Sequence, residues 1–126
     1  MTRVVLASRN AKKIAEVRRI LEQAGAPIEL VGLDDLAVDV TDVPETGATF
    51  AENARIKAQA VLDQTGIPAL ADDSGLTVEA LNGMPGVLSA RWSGAHGDDV
   101  ANLNLVLSQI ADVPDERRAA AFVCAV

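Results

Sequence analysis

Two aspartates stand side by side in the stretch ADDSG, directly after the apolar run IPAL. Two ionised carboxylates this close repel each other, and Asp is depleted in strands. Ligand sites of open α/β sheets lie beyond the carboxyl ends of strands, and Asp72 and Asp73 have that placement. A hard cation such as Mg²⁺ would offset the repulsion, and a water held by the cation or a carboxylate could attack phosphorus. The alternative is an Asx-turn completed by Ser74 and Gly75.

A second polar segment, SRNAKK, follows the apolar run VVLA and opens a predicted helix. The free amides and the dipole of a helix N-terminus attract phosphate, and Ser8 and Asn10 offer short polar side chains there. Lys12 and Lys13 lie in the first turn, where cations oppose the helix dipole unless an anion binds. Arg9 adds positive charge. The glycines of a Walker A loop are missing, and an N-cap followed by a solvated basic helix face explains the segment equally well.

Four other residues carry weaker signals. Glu45, in PETG, is by itself an exposed carboxylate in a turn. His96 lies in the loop SGAHGDD and has no second His or Cys as a metal-binding partner. Cys124 is expected to be a small buried hydrophobe. A lone tryptophan such as Trp92 could stack a base, but covering the edge of a core is the favoured role.

The hydrophobic pattern predicts the elements that must position these side chains. Strands are predicted at RVVLA, PIELVGL, IPALA, LTVEAL and AAAFVCAV, and helices after SRN, from Thr49 to Gln64 and over DDVANLNLVLSQIA. A capping box of Thr49 and Glu52 starts the second helix. The predicted inward faces are Ile14, Val17, Leu21 and Ala24 in the first helix, Phe50, Ala54, Ala58, Val61 and Leu62 in the second, and Val100, Leu103, Leu107 and Ile110 in the third. Alternating strands and helices predict an α/β fold, as one domain over residues 1–126.

Charge and composition restrict the classes of function. The net charge is -7 and the sequence pI about 4.5, which argue against general binding to nucleic acid or an anionic membrane. An anionic small molecule remains possible through a metal ion or a local basic cluster. No signal peptide or apolar run of membrane-spanning length is present, so a cytoplasmic location is expected. The wholly apolar end FVCAV is typical of a central strand, and we expect the N-terminal portion of a longer protein.

Three segments in order resemble one family. SRNAKK, ETGATFAENARIKA and ADDSGLTVEALNGMPGVLSARWSG resemble the motifs of the inosine/xanthosine triphosphate pyrophosphatases, the Ham1-like enzymes that act on non-canonical purine nucleotides. The resemblance spans essentially the whole chain and matches about the N-terminal two-thirds of the family pattern. It implies a mixed sheet flanked by helices, an ITPase-like architecture shared in outline with Maf-like proteins. It also implies Mg²⁺-dependent hydrolysis of ITP, dITP and XTP to the monophosphate and pyrophosphate, by a homodimer that cleanses the nucleotide pool.

The resemblance also implies roles for individual residues. Asp73 corresponds to a metal ligand and to the general base that activates water. Glu45 corresponds to a second metal ligand, and Asp72 to an acidic neighbour that supports the metal. Ser74 corresponds to a substrate contact. The residues matched to the triphosphate-binding motif are Ser8, Arg9, Asn10, Ala11, Lys12 and Lys13.

Two alternatives stay open at this point. The family carries a Phe-Gly-Tyr-Asp segment, a later Lys and a His-Arg pair that contact the base and the sugar, and this sequence has none of them. The chain could therefore be a non-catalytic nucleotide- or phosphate-binding fragment. A Maf-like pyrophosphatase that acts on modified pyrimidine nucleotides is the other alternative.

Overall fold

The computed structural model describes all 126 residues, which form two compact units. The first unit comprises residues 1–46, 53–72 and 126, and the second comprises residues 47–52 and 73–125. The strands are β1 (Thr2–Leu6), β2 (Ile28–Gly32), β3 (Ala69–Leu70), β4 (Asp73–Val78) and β5 (Ala120–Ala125), and the α-helices are α1 (Ala11–Gln23), α2 (Phe50–Thr65) and α3 (Asp99–Gln109). No helix is both long enough and apolar enough to cross a membrane.

The first unit contains a parallel sheet with strand order β2-β1-β3. The central strand β1 is buried at Val4, Val5 and Leu6, because its two faces contribute to two separate apolar clusters. One cluster contains Val5, Val31, Leu33, Val40 and Val61, and the other contains Val4, Leu6, Ile14 and Leu30. A strand covered on both faces reads as a continuous apolar run, which is why VVLA was recognisable. The predicted α/β class is confirmed.

Helix α1 follows the predicted pattern closely. Ile14 is buried, and Val17 and Leu21 pack against the same cluster. Ala24, predicted to continue this face, is instead the exposed C-cap. Gly25 has a φ of +67°, the left-handed conformation that glycine adopts without steric cost, and it follows the C-cap at the end of the helix.

Helix α2 begins with the predicted capping interaction, in a slightly shifted form. The Thr49 Oγ1 atom accepts a hydrogen bond from the Glu52 amide at 3.1 Å. The Glu52 carboxylate accepts from the amide of Ala48 at 2.7 Å, one residue before the position that a regular capping box uses. Ala54 and Val61 are buried as predicted, whereas Leu62 is exposed.

The second unit contains the antiparallel pair β4-β5 and helix α3. Its core cluster consists of Val78, Val106 and Ile110. Trp92 packs against this cluster, and its indole Nε1–H donates to Gln109 Oε1 at 2.9 Å. The predicted role of Trp92 at a core edge is therefore confirmed. The parallel and antiparallel strands lie in two separate sheets.

The predicted inward face of α3 is wrong at three of its four residues. Val100, Leu103 and Leu107 are 70%, 54% and 48% exposed, and only Ile110 is buried. The helix is turned so that Asn102 lies on its buried side, where the side-chain carbonyl accepts a hydrogen bond from the Ser93 amide at 2.7 Å. A prediction from apolar periodicity does not consider that an Asn can be buried. It therefore assigned the row of apolar residues beside Asn102 to the buried face of the helix.

Two expectations for the later segments also need correction. AAAFVCAV forms strand β5 as predicted, but the strand is exposed, with Phe122 89% exposed and Cys124 also exposed. An apolar strand is buried only where other elements cover its faces, which its own composition does not determine. The segment VLSARWSG contains a 3₁₀-helix at Gly86–Arg91.

Candidate functional site

The turn after β1 is built by its own short side chains. The Ser8 hydroxyl oxygen accepts from the Asn10 amide at 3.0 Å. The Asn10 Oδ1 atom accepts from the amides of Lys12 and Lys13 at 3.0 and 3.2 Å, so Asn10 is the N-cap of α1. The N-cap interpretation is thus confirmed as local structure. The first turn nevertheless contains two lysines and no acidic residue, a charge distribution that opposes the helix dipole and favours a bound anion.

Lys13 connects this turn to the first of the two aspartates. Its ammonium lies 3.1 Å from both carboxylate oxygens of Asp72. Strands β1 and β3 pair in parallel, with Leu6 opposite Leu70, so Asp72 and the basic turn both follow the carboxyl end of the sheet. Lys13 therefore offsets the charge of Asp72 in this structure.

The other residues of the turn lie differently. The guanidinium of Arg9 is directed to the Asp34 carboxylate, at 2.5 Å, and to the Val40 carbonyl oxygen, at 3.0 Å. Ala11 and Lys12 are exposed at the start of α1. Among the residues predicted to bind phosphate, Arg9 thus interacts with the segment that follows β2.

Glu45 is half-buried and forms an ion pair with Lys57 of α2, with the Lys57 Nζ atom 3.3 Å from Glu45 Oε1. Lys57 was not among the residues singled out in the sequence, although it lies within ETGATFAENARIKA. The sequence contained one signal for this ion pair, because the same segment carries an acidic residue in a loop and a lysine in the capped helix that follows. The structure thus pairs each of two predicted metal-binding carboxylates, Glu45 and Asp72, with its own lysine.

Asp73 belongs to a different element from Asp72. It is the first residue of β4, pairs with Ala125 across the ladder and is only 8% exposed, so Asp73, Ser74 and Gly75 belong to a strand. Its Oδ2 atom is buried and accepts no hydrogen bond, although the residue makes interactions elsewhere. Ser74 follows as an exposed residue of the same strand.

Gly75 is required by close packing rather than by backbone conformation. A Cβ atom at this position would lie 2.6 Å from the Gly86 carbonyl oxygen, 2.6 Å from Ser89 Oγ and 2.8 Å from Phe50 Cε1. Because the nearest of these groups includes rigid backbone, we expect Gly75→Ala to lower the free energy of unfolding by about 1–3 kcal/mol. Urea denaturation of both proteins measures the difference, and a Gly75→Ala variant as stable as the parent would contradict this account.

The carboxylates of the chain are spread rather than clustered. Nowhere do three or more His, Cys, Asp or Glu side chains gather closely enough to hold a metal ion by themselves. The parallel sheet, the capped basic turn and the lysine-paired carboxylates define an α/β protein with charged groups of both signs after the carboxyl ends of its strands. Such strand ends are where α/β proteins bind their ligands.

A family model described as the Ham1 family matches residues 4–126. The chain belongs to the Ham1 family, which confirms the resemblance carried by its three ordered motifs.

Named relatives and solved structures agree with this assignment. The dITP/XTP pyrophosphatase of Nocardia farcinica is 64% identical over 126 residues, covering 99% of this chain and 61% of the relative. The dITP/XTP pyrophosphatase of Streptomyces coelicolor is 61% identical over 125 residues, covering 99% of this chain and 62% of the relative. The chain therefore spans about three-fifths of the length of these relatives.

Two solved structures superpose well. A nucleoside-triphosphatase / dITP/XTP pyrophosphatase from Mycobacterium abscessus matches with a TM-score of 0.85 at 57% identity, covering 98% of this chain and 63% of the other. A HAM1 protein from Coxiella burnetii matches with a TM-score of 0.87 at 44% identity, covering 98% of this chain and 61% of the other. The likeness supports the ITPase-like architecture expected from the motifs.

Proposed function

We propose that the protein carrying this chain hydrolyses non-canonical purine nucleoside triphosphates, namely ITP, dITP and XTP, to the monophosphate and pyrophosphate. The names of the relatives at 64% and 61% identity support this substrate class. The single structural observation that carries the proposal is the contact between Lys13 and Asp72 at the end of the parallel sheet. It joins a basic, helix-opening turn suited to phosphate with a carboxylate suited to a cation.

In this proposal the basic turn binds the triphosphate. Ser8 and Asn10 hold the turn in shape, while the positive charge of Lys12 and Lys13 attracts the phosphate oxygens. The contact to Asp72 leaves the Lys13 ammonium partly exposed, so the lysine can turn from the carboxylate to an arriving phosphate. Ser74, exposed beside Asp73, contributes a hydroxyl to the substrate.

We propose Mg²⁺ as the cofactor, with Glu45, Asp72 and Asp73 as the candidate ligands, of which one or two would hold the ion. Carboxylate oxygens are the ligands that Mg²⁺ prefers, and it commonly takes only one or two of them, with phosphates and water completing its shell. A chain in which no three acidic side chains gather is compatible with that sparse use of protein ligands. When bound, the ion would offset negative charge that builds up on the pyrophosphate.

Asp73 is the proposed general base. It is mostly buried and its backbone is held in the β4-β5 ladder, so its carboxylate is attached to a rigid element rather than to a loop. A carboxylate held in this way is a suitable acceptor for the proton of an attacking water.

The proposal is tested with the protein at its natural length and a panel of nucleotides. With Mg²⁺, we expect pyrophosphate as the first phosphorus-containing product, with ITP and XTP favoured over ATP and GTP by about one to two orders of magnitude in kcat/KM. Chelation of Mg²⁺ should stop the reaction.

Three results would overturn the proposal in distinguishable ways. Orthophosphate as the first product excludes a pyrophosphatase. Preference for modified pyrimidine triphosphates favours the Maf-like alternative. Calorimetric binding of ITP without turnover favours a nucleotide-binding protein without catalysis.

We also propose that the protein works as a homodimer in the cytoplasm, on a small-molecule substrate and without nucleic acid or membrane partners. The net charge of -7 supports the last point, since a nucleic acid or an anionic membrane would repel such a surface. The dimer follows from the family resemblance alone. Light scattering coupled to size-exclusion chromatography measures the assembly directly.

A further inference from the structure

The connection between β2 and α2 carries Glu45 but has little structure of its own. After the short 3₁₀-helix at Leu33–Asp35, residues 36–49 form neither helix nor strand. Its acidic residues are Asp34, Asp35, Asp39, Asp42 and Glu45. Like charges along one segment repel each other and favour an expanded loop, so the observed path requires attachment to other elements.

Arg9 supplies the first attachment. One guanidinium nitrogen contacts the Asp34 carboxylate at 2.5 Å, and another donates to the Val40 carbonyl oxygen at 3.0 Å. The Val40 side chain is 7% exposed and belongs to the apolar cluster around Val5. The loop is therefore fixed at Val40 by burial and by a hydrogen bond from the turn after β1.

Gln64 of α2 supplies the second attachment at the next residue. Its Oε1 atom accepts from the Thr41 amide at 2.8 Å, and its Nε2 donates to the Thr41 carbonyl oxygen at 3.1 Å. A primary amide side chain has a donor and an acceptor side by side, so it can pair with both backbone groups of one residue. This double hydrogen bond fixes the position and the direction of the backbone at Thr41.

Helix α2 thus holds the connection at two points on one face. Lys57, Val61 and Gln64 are spaced by four and then three residues, which places them in a line along the helix. Lys57 holds Glu45 and Gln64 holds Thr41, with the buried Val61 between them. We propose that Gln64 is a positioning residue for Glu45, an inference that rests on the proposed Mg²⁺-dependent function.

The Lys57–Glu45 ion pair and the Gln64–Thr41 hydrogen bonds respond differently when a cation binds. A divalent ion at Glu45 competes with the Lys57 ammonium for the same carboxylate, and the two cations repel each other. The ion pair then no longer holds the loop. The pairing of Gln64 with Thr41 involves no ionised group, so it persists and keeps Glu45 in position.

Gln64→Leu removes both hydrogen bonds while keeping a good helix former at an exposed position. In the protein at its natural length, we expect the Mg²⁺ concentration for half-maximal pyrophosphate release to rise about ten-fold, as for other residues that orient metal ligands. The matched control is Gln59→Leu, an exposed Gln of the same helix that bonds only within the helix, to Asp63. It should leave the Mg²⁺ dependence unchanged. Gln64→Glu keeps an acceptor but loses the donor, and should not restore the parent value.

Hydrogen exchange of the metal-free protein provides the readout that is independent of activity. The Thr41 amide should exchange about ten-fold faster in Gln64→Leu and at the parent rate in Gln59→Leu, because only the first variant frees that amide. Unchanged Thr41 exchange, or faster exchange with an unchanged Mg²⁺ dependence in an active protein, overturns the inference alone. A parent protein that releases no pyrophosphate overturns the proposed function and, with it, the role of Gln64.

Discussion

Replacing Asp73 with Asn is expected to lower the rate of pyrophosphate release from ITP by about 10²–10⁴-fold, the range for loss of a general base. The amide has nearly the same shape as the carboxylate but cannot accept the proton of an attacking water. The backbone of residue 73 would still pair with Ala125 in the β4-β5 ladder, so the variant should stay folded. Steady-state kinetics of the protein at its natural length measure the rate of pyrophosphate release, and circular dichroism tests whether the variant is folded.

The matched control is Asp112→Asn, the same substitution at an exposed residue of the second unit. It should keep the parent rate. Near-normal turnover in Asp73→Asn would show that the base is a different carboxylate, and Asp72→Asn would then be the next variant to measure.

The elements that position this site could be predicted from the sequence because their signals are local. Asn10 before α1 and the Thr49–Glu52 pair before α2 determine helix starts through hydrogen bonds within four residues. The continuous apolar run of β1 indicates a strand covered on both faces. The paired aspartates of ADDSG are predicted to be a site because they follow an apolar run, and that run contains strand β3.

The parts that local patterns could not predict depend on contacts between distant segments. Asp72 and Asp73 look equivalent in the sequence, yet one follows β3 and the other begins β4. The face of α3 was misassigned because Asn102 finds a buried partner in the Ser93 amide. Burial of β5 was misjudged because an apolar composition shows only that a strand can be covered.

The interaction partners of the candidate site residues also could not be predicted from the sequence. Lys13 and Asp72 are separated by 59 residues, and nothing in either segment specifies the other. The same holds for Arg9 and Val40, 31 residues apart. Only the parallel pairing of β1 with β3, and of β1 with β2, brings these positions to one edge of the sheet. The start of helix α1 at the basic turn was therefore predictable, whereas the contacts of this turn with the acidic residues were not.

Replacing Lys13 with Met is expected to lower kcat/KM for ITP by about 10–100-fold, the equivalent of one hydrogen bond to a charged group. The ammonium carries positive charge at the basic turn and contacts both oxygens of Asp72, so its loss weakens phosphate binding and removes a positive charge from beside Asp72. Arg19→Met, which removes one positive charge from an exposed position of the same helix, is the matched control and should change kcat/KM less than two-fold if long-range attraction is screened.

The double variant Lys13→Met/Asp72→Asn separates the two effects of the lysine. Activity below that of both single variants supports direct contact with the phosphates, whereas activity equal to that of Asp72→Asn alone would mean that Lys13 acts only by offsetting the aspartate.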